Sequence, residues 1–201
     1  MDDADSGSLG LDAALEDVAD RLRRVTVQVR AGARSAGAGV VWLRRGLIVT
    51  NAHVATGTAA EVVLPDGRAL DARLVARDPR RDLAAFALPP GDHAAAIRAD
   101  ARGLRPGELV VAVGHPLGVA YAAALGIVHR APNGGRGPGA WLQADIRLAP
   151  GNSGGPLADV AGRIVGINAM IVGGLGFAVP THVVERFVHE IDRVGGGARA
   201  A

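Results

Sequence analysis

Val25-Thr26-Val27-Gln28-Val29 is where the hydrophobic pattern of this chain changes period, and the change decides the fold class. Upstream, over residues 11–24, Leu11, Leu15, Val18 and Leu22 recur at spacings of three and four, with acidic residues early and arginines late. That stripe predicts an amphipathic helix in a packed N-terminal arm, residues 1–24. From Val25 apolar and polar residues alternate, as in a half-buried strand whose side chains point to opposite faces in turn. Leu47-Ile48-Val49, Val62-Val63-Leu64 and residues 69–75 are further strand-like runs separated by Gly, Pro and Asp, and Leu64-Pro65-Asp66-Gly67-Arg68 reads as a hairpin turn. A second group follows Pro106-Gly107, at residues 109–113, 125–128, 141–143, 163–171 and 176–179. Two groups of short strands predict an all-β fold of two barrels within residues 25–194, the first over about residues 25–105 and the second over about 106–180. A closing helix is expected over residues 181–194, with Thr181 as its cap and Val183, Val184, Phe187, Val188 and Ile191 as its buried face, before a Gly-rich tail over residues 195–201.

The chain has 201 residues, 49% hydrophobic and 21% charged, which is enough apolar side chain to bury a substantial core. Glycine, at 29 residues, is about twice its usual ~7% share and favours many tight turns over long helices. With no cysteine, neither disulfides nor thiolate metal sites contribute. All 22 basic residues are arginine, the formal net charge is only +2, and the arginines stand mostly singly or in pairs such as Arg80-Arg81. Aromatics are 3%, so there is neither a basic tract nor a stacking platform, and nucleic acid is not an expected partner. Met1-Asp2-Asp3-Ala4-Asp5 is the opposite of a signal peptide's basic and apolar opening, and Arg, Asp or Pro interrupts each apolar run before the ~18 residues a membrane span needs.

Acyl transfer by a serine needs a hydroxyl on a tight turn, backbone N–H groups aimed at the developing oxyanion, and a histidine base held in one tautomer by a carboxylate. Gly151-Asn152-Ser153-Gly154-Gly155-Pro156-Leu157 offers the first two, with Ser153 as nucleophile and the amides of Gly151 and Ser153 as an oxyanion hole. Alone, such a string is ordinarily a Ser/Gly turn. Thr50-Asn51-Ala52-His53-Val54 follows an apolar strand and places His53 at its end, and Arg81-Asp82-Leu83-Ala84 puts Asp82 directly before another. Each also has a plain structural explanation, a core histidine and a strand-capping aspartate. Their order, His and Asp in the first strand group and Ser in the second, is one of the few arrangements this chemistry uses. His182, Glu185 and His189 share a face of the closing helix, but such a trio is ordinarily solvated and no metal is expected. His93, His115 and His129 lack a carboxylate or histidine at metal-ligand spacing and are assigned no chemistry.

The segments around His53, Asp82 and Ser153, together with Gly176-Phe177-Ala178-Val179-Pro180, resemble the HtrA (Deg) family of trypsin-like serine proteases over roughly residues 25–190. The resemblance is to the protease domain, with no PDZ domain following the closing helix. It implies two orthogonal six-stranded barrels with the triad in the cleft between them, endopeptidase action on polypeptide substrates, unfolded or damaged ones among them, no cofactor or metal, and a periplasmic or secreted location. It assigns residues 129–140 to an activation loop, 147–152 to the loop carrying the oxyanion hole, and 168–175 to a wall of the primary specificity pocket. The Gly-rich residues 132–139 read as a mobile loop within the first of these. A homo-oligomer, in the family a trimer, is implied by the resemblance alone, because the family's trimer contacts are rich in aromatics and residues 1–24 contain none.

Departures from the family pattern are His115 in place of the usual asparagine, Ala149 in place of another, and Arg147 where a small residue is common. Trypsin-like enzymes that select Arg or Lys carry a carboxylate six residues before the nucleophile, the position Arg147 holds. The expected preference is therefore a small or medium apolar residue before the scissile bond, with Arg147 turned to solvent and Leu148, Ala169 and Ile171 lining the pocket. An inward Arg147 that selects acidic residues is the competing arrangement. A reading of another class is a chaperone-like or binding module on the same fold, its triad held latent by the activation loop.

Overall fold

The structure is a computed structural model that describes residues 3–32, 36–132 and 140–197. Its N-terminal half contains β1 (Thr26–Arg30), β2 (Ala36–Leu43), β3 (Leu47–Thr50), β4 (Ala59–Val63), β5 (Ala69–Asp78) and β6 (Leu83–Ala87). The C-terminal half contains β7 (Leu109–Gly114), β8 (Ala122–Arg130), β9 (Leu142–Ile146), β10 (Pro156–Asp159), β11 (Ile164–Val172) and β12 (Leu175–Pro180). Helices α1 (Asp3–Arg23) and α2 (Thr181–Gly197) stand at the two ends. The first six strands close in the order β1-β2-β3-β6-β5-β4 and the second six in the order β7-β8-β9-β12-β11-β10. The two closed antiparallel barrels thus share one connectivity although no repeat is legible in the sequence, and the fold is the trypsin-like double barrel.

Alternation along each strand divides its faces between two cores. Val27, Val41, Ile48, Val62, Ala84 and Phe86 fill the first barrel. Val110, Ala112, Leu142, Leu157 and Val165 fill the second. Their neighbours Val40, Trp42, Val49, Leu83 and Ala85 from one barrel meet Val111, Val113, Ile164 and Ile167 from the other in a third cluster. This is why Leu47-Ile48-Val49 and residues 83–86 are apolar on both faces: one face fills a barrel and the other the seam between barrels. The helices seal that seam, α1 with Val18 and Leu22 and α2 with Val184, Phe187 and Val188.

Three expectations about the helices need correction. Helix α1 spans Asp3–Arg23, but its apolar stripe is packed only toward the C-terminal end: Leu11 is 52% exposed while Val18 and Leu22 are buried. Helix α2 runs on to Gly197, since glycine disfavours a helix by only about 1 kcal/mol per residue. Thr181 joins elements together: its hydroxyl donates to the Ala99 carbonyl (2.6 Å) and accepts from the Ala101 N–H (3.1 Å), tying the inter-barrel connection to the start of α2.

Candidate active site

His53 lies in the turn that follows β3. Asn51 organises that turn: its carbonyl accepts from the N–H groups of Val54 and Ala55, both at 3.2 Å. Its buried side chain donates to the Asp82 carbonyl at 3.0 Å. Asp82 immediately precedes β6 and has a left-handed backbone, φ 53°. That conformation costs a residue with a side chain about 1–3 kcal/mol, least for Asp and Asn. A preceding turn holds it there, in which the Asp78 carboxylate accepts from the N–H groups of Arg80 (2.9 Å) and Arg81 (3.2 Å). Arg81 in turn pairs with Asp78 and with Glu190 of α2.

The outcome is a carboxylate aimed at the histidine. Asp82 Oδ2 lies 2.9 Å and Oδ1 3.0 Å from His53 Nδ1, and Oδ1 also accepts the His53 backbone N–H at 3.1 Å. The Asp82 side chain is 16% exposed and that of His53 50%, so the carboxylate is shielded while the ring remains open to solvent. A proton on Nδ1 leaves Nε2 as the acceptor.

Ser153 sits in the turn between β9 and β10. Its carbonyl accepts the Ala38 N–H of β2 at 2.8 Å, so the serine turn is bonded directly to the first barrel. Its hydroxyl donates to the Ala169 carbonyl of β11 at 3.1 Å, and among the described residues it makes no hydrogen bond to His53. Gly151, at φ 105°, and Gly154, at φ 85°, give the turn its shape. Among the described residues, no backbone hydrogen bond uses the N–H of Gly151 or of Ser153, and both remain available to an anion. A Cβ at Gly154 would lie 2.0 Å from the Ala38 carbonyl oxygen and 2.2 Å from Thr50 Oγ1. Gly154→Ala is therefore expected to lower stability by about 2–4 kcal/mol, read as a fall in denaturation midpoint. An unchanged midpoint would mean that the barrels do not meet tightly at this turn.

The proposed pocket residues separate into two groups. Arg147 is exposed, Leu148 half-buried, Ala169 buried and Ile171 47% exposed. Leu148 packs toward Gly176 of β12, where an added Cβ would meet its Cδ1 at 3.1 Å, and Gly176 is the cross-strand partner of Ile171. Leu148 and Ile171 thus lie beside Gly176 of β12, whereas Ala169 is buried in the cluster between the barrels. Residues 168–175 are mostly strand, closed by a two-residue turn at Gly173 and Gly174 with φ 59° and 84°. On the β10 side of β11 backbone bonding ends at Asn168, whose N–H donates to the Gly155 carbonyl and whose carbonyl accepts from the Gly154 N–H, whereas β12 stays paired with β11 as far as Val172. Of the expected activation loop, residues 133–139 lie outside the described residues.

The trypsin-like peptidase domain family matches residues 37–167. The chain belongs to that family. Among curated proteins it is 37% identical over 174 residues to the "Probable periplasmic serine endoprotease DegP-like" of Brucella suis, covering 81% of this chain and 34% of that protein. It is 34% identical over 171 residues to "Periplasmic serine endoprotease DegP" of Escherichia coli, covering 79% and 36% respectively. It is 34% identical over 185 residues to "Serine protease HTRA1A" of Danio rerio, covering 87% and 39%. The chain spans about a third of the length of the relatives it matches, and the likeness to DegP and HtrA proteins is to their protease domain. No helix among the described residues is long and apolar enough to cross a membrane.

Two functional candidates escaped the sequence reading. Gly176 is where a side chain would fill the space beside Leu148, and His115 lies directly under the serine turn. A glycine inside an apolar strand is a signal of close approach and pointed to the first. Only the departure from the family's asparagine pointed to the second.

Proposed function

We infer that the chain is a serine endopeptidase that cuts polypeptides through an acyl-enzyme, with Ser153 as nucleophile, His53 as general base and Asp82 as the group that orients it. The observation that carries the reading is the two-point grip of Asp82 on His53, at the ring and at the backbone N–H, opposite a serine turn with two available amides. In the first step the Ser153 hydroxyl turns from the Ala169 carbonyl to His53 Nε2, which takes its proton as Oγ attacks the scissile carbonyl. The N–H groups of Gly151 and Ser153 receive the developing oxyanion, and the protonated histidine then gives its proton to the leaving amine. Deacylation repeats the sequence with water.

Beyond Asn168, β11 offers its edge to an extended segment, which favours unfolded chains as substrates because they present free strands. The periplasmic relatives support an extracytoplasmic place of action. The hydrogen bond from Ser153 to Ala169 is the observation in favour of a latent triad on a binding module. A peptide library varied at the residue before the scissile bond tests the function and the pocket together. Cleavage is expected after Val, Ala or Leu, since Arg147 is exposed and Leu148, Ala169 and Ile171 are apolar. Preference for Asp or Glu would turn Arg147 inward, preference for Arg or Lys would overturn the pocket, and no cleavage by the full chain would favour the binding module.

A further inference from the structure

The peptide group that joins Ala52 to His53 is bonded at both ends. Its N–H donates to Asp82 Oδ1 at 3.1 Å, and its carbonyl accepts from Arg77 Nε of β5 at 3.0 Å. No peptide bond among the described residues is cis, so the two groups point in opposite directions and the peptide is strung between a carboxylate and a guanidinium. Hydrogen bonds to such groups are roughly twice as strong as those between neutral partners. Each also polarises the peptide in the sense that strengthens the other. Whatever holds the Ala52 carbonyl therefore holds the backbone from which the His53 ring projects.

The sheet fixes the backbone of Arg77 in turn. In the order β3-β6-β5, Ala84 of β6 pairs with Thr50 on one side and with Arg77 on the other. The Arg77 side chain thus spans the start of β6 to reach the turn after β3. Asp82 immediately precedes that strand, whose first residue, Leu83, pairs with Asp78 beside Arg77. A ring of contacts closes: β5 to Ala52 through the guanidinium, His53 to Asp82 through the backbone N–H, and Asp82 back to β5 through the ladder. The nearby carboxylates of Asp78 and Glu190 are both engaged by Arg81. Arg77 lines a groove between β5 and α2 with Val75, Phe187 and Ile191, and no residue of the triad, the serine turn or the proposed pocket shares it. Its influence on His53 runs through the backbone and not through bound substrate.

We propose that Arg77 is a positioning residue for the general base, its guanidinium holding the Ala52–His53 peptide so that the imidazole stays aligned on Asp82. This rests on the peptidase reading above, and the test separates the two. Arg77→Met keeps a stem of similar length and removes the donor. Arg77→Gln puts an amide N–H as many bonds from Cα as Nε was. A loosened base weakens proton transfer in the transition state and leaves substrate binding alone. In Arg77→Met kcat is therefore expected to fall about tenfold with KM unchanged, short of the ~10²-fold cost of a misplacement of about 1 Å. The melting temperature should stay within a few degrees of wild type, because Arg77 is exposed, and Arg77→Gln should recover most of kcat. Folded Arg77→Met with wild-type kcat overturns the proposal, as does an equal loss in the glutamine variant or a loss carried by KM alone. If the methionine variant fails to fold, Arg77→Ala is read against Arg77→Gln by the same outcomes, and failure of both to fold overturns the proposal by making Arg77 purely structural. Wild-type hydrolysis that vanishes in Ser153→Ala shows that the peptidase reading stands whichever way Arg77 behaves, whereas a wild-type chain that does not cleave overturns both.

Discussion

Ser153→Ala is expected to lower peptide hydrolysis by about 10³-fold or more and to remove covalent labelling by a fluorophosphonate probe. The probe phosphonylates the nucleophile oxygen with loss of fluoride, and it reacts only where nucleophile, base and oxyanion hole act together. The substitution is also a clean one structurally. The bond from the Ala38 N–H to the Ser153 carbonyl belongs to the backbone and survives it, and the only side-chain bond lost among the described residues is the one to Ala169. The variant should therefore melt like the wild type, so that lost activity is lost chemistry. Undiminished hydrolysis would move the nucleophile elsewhere. A wild-type chain that neither labels nor cleaves would instead favour the latent module, with the hydroxyl kept on Ala169.

What the sequence disclosed of this fold followed from physics that acts over a few residues. Period-two alternation at Val25-Thr26-Val27-Gln28-Val29 and the turn at Pro65-Asp66-Gly67 are local, and β1, β4 and β5 lie within a few residues of where they were expected. Strand β2 was not legible, because Ala36-Gly37-Ala38-Gly39 has the composition of a turn. Its glycines answer to remote neighbours: a Cβ at Gly37 would meet the Ser153 carbonyl oxygen at 2.9 Å, and one at Gly39 would meet Ile48 Cγ2 at 2.8 Å. Strand β10 was hidden for a similar reason, being four residues that open on Pro156 directly after the serine turn. Leu11 lies beyond the packed part of its stripe, because periodicity marks a stripe without saying how far the surface beneath it extends. At the site, the types and order of His53, Asp82 and Ser153 were readable. The left-handed backbone of Asp82 and the bond from the His115 N–H to the Gly151 carbonyl depend on contacts between segments far apart in the chain.

Asp82→Asn should leave the fold intact and slow hydrolysis by about 10³–10⁴-fold, the scale of loss when a triad carboxylate is replaced by an amide. The backbone argument comes first. Asn is the other residue with a side chain that tolerates a left-handed φ, so the 53° conformation survives, and the Asn51 side chain still donates to the carbonyl of residue 82. One oxygen remains to accept the His53 backbone N–H, now at 3.1 Å from Oδ1, and that bond fixes which way the amide faces. With the oxygen there, the amide nitrogen takes the place of Oδ2, 2.9 Å from His53 Nδ1, and presents a donor to it. With the donor at 2.9 Å and the oxygen at 3.0 Å from Nδ1, the ring is expected to accept at Nδ1 and carry its proton on Nε2, the tautomer that cannot take a proton from Ser153. Geometry is preserved and function is not. Kinetics and melting measured together decide the point: a stable variant with a severely reduced kcat supports the orienting role, whereas a stable variant that cleaves at the wild-type rate would make Asp82 a strand cap and nothing more.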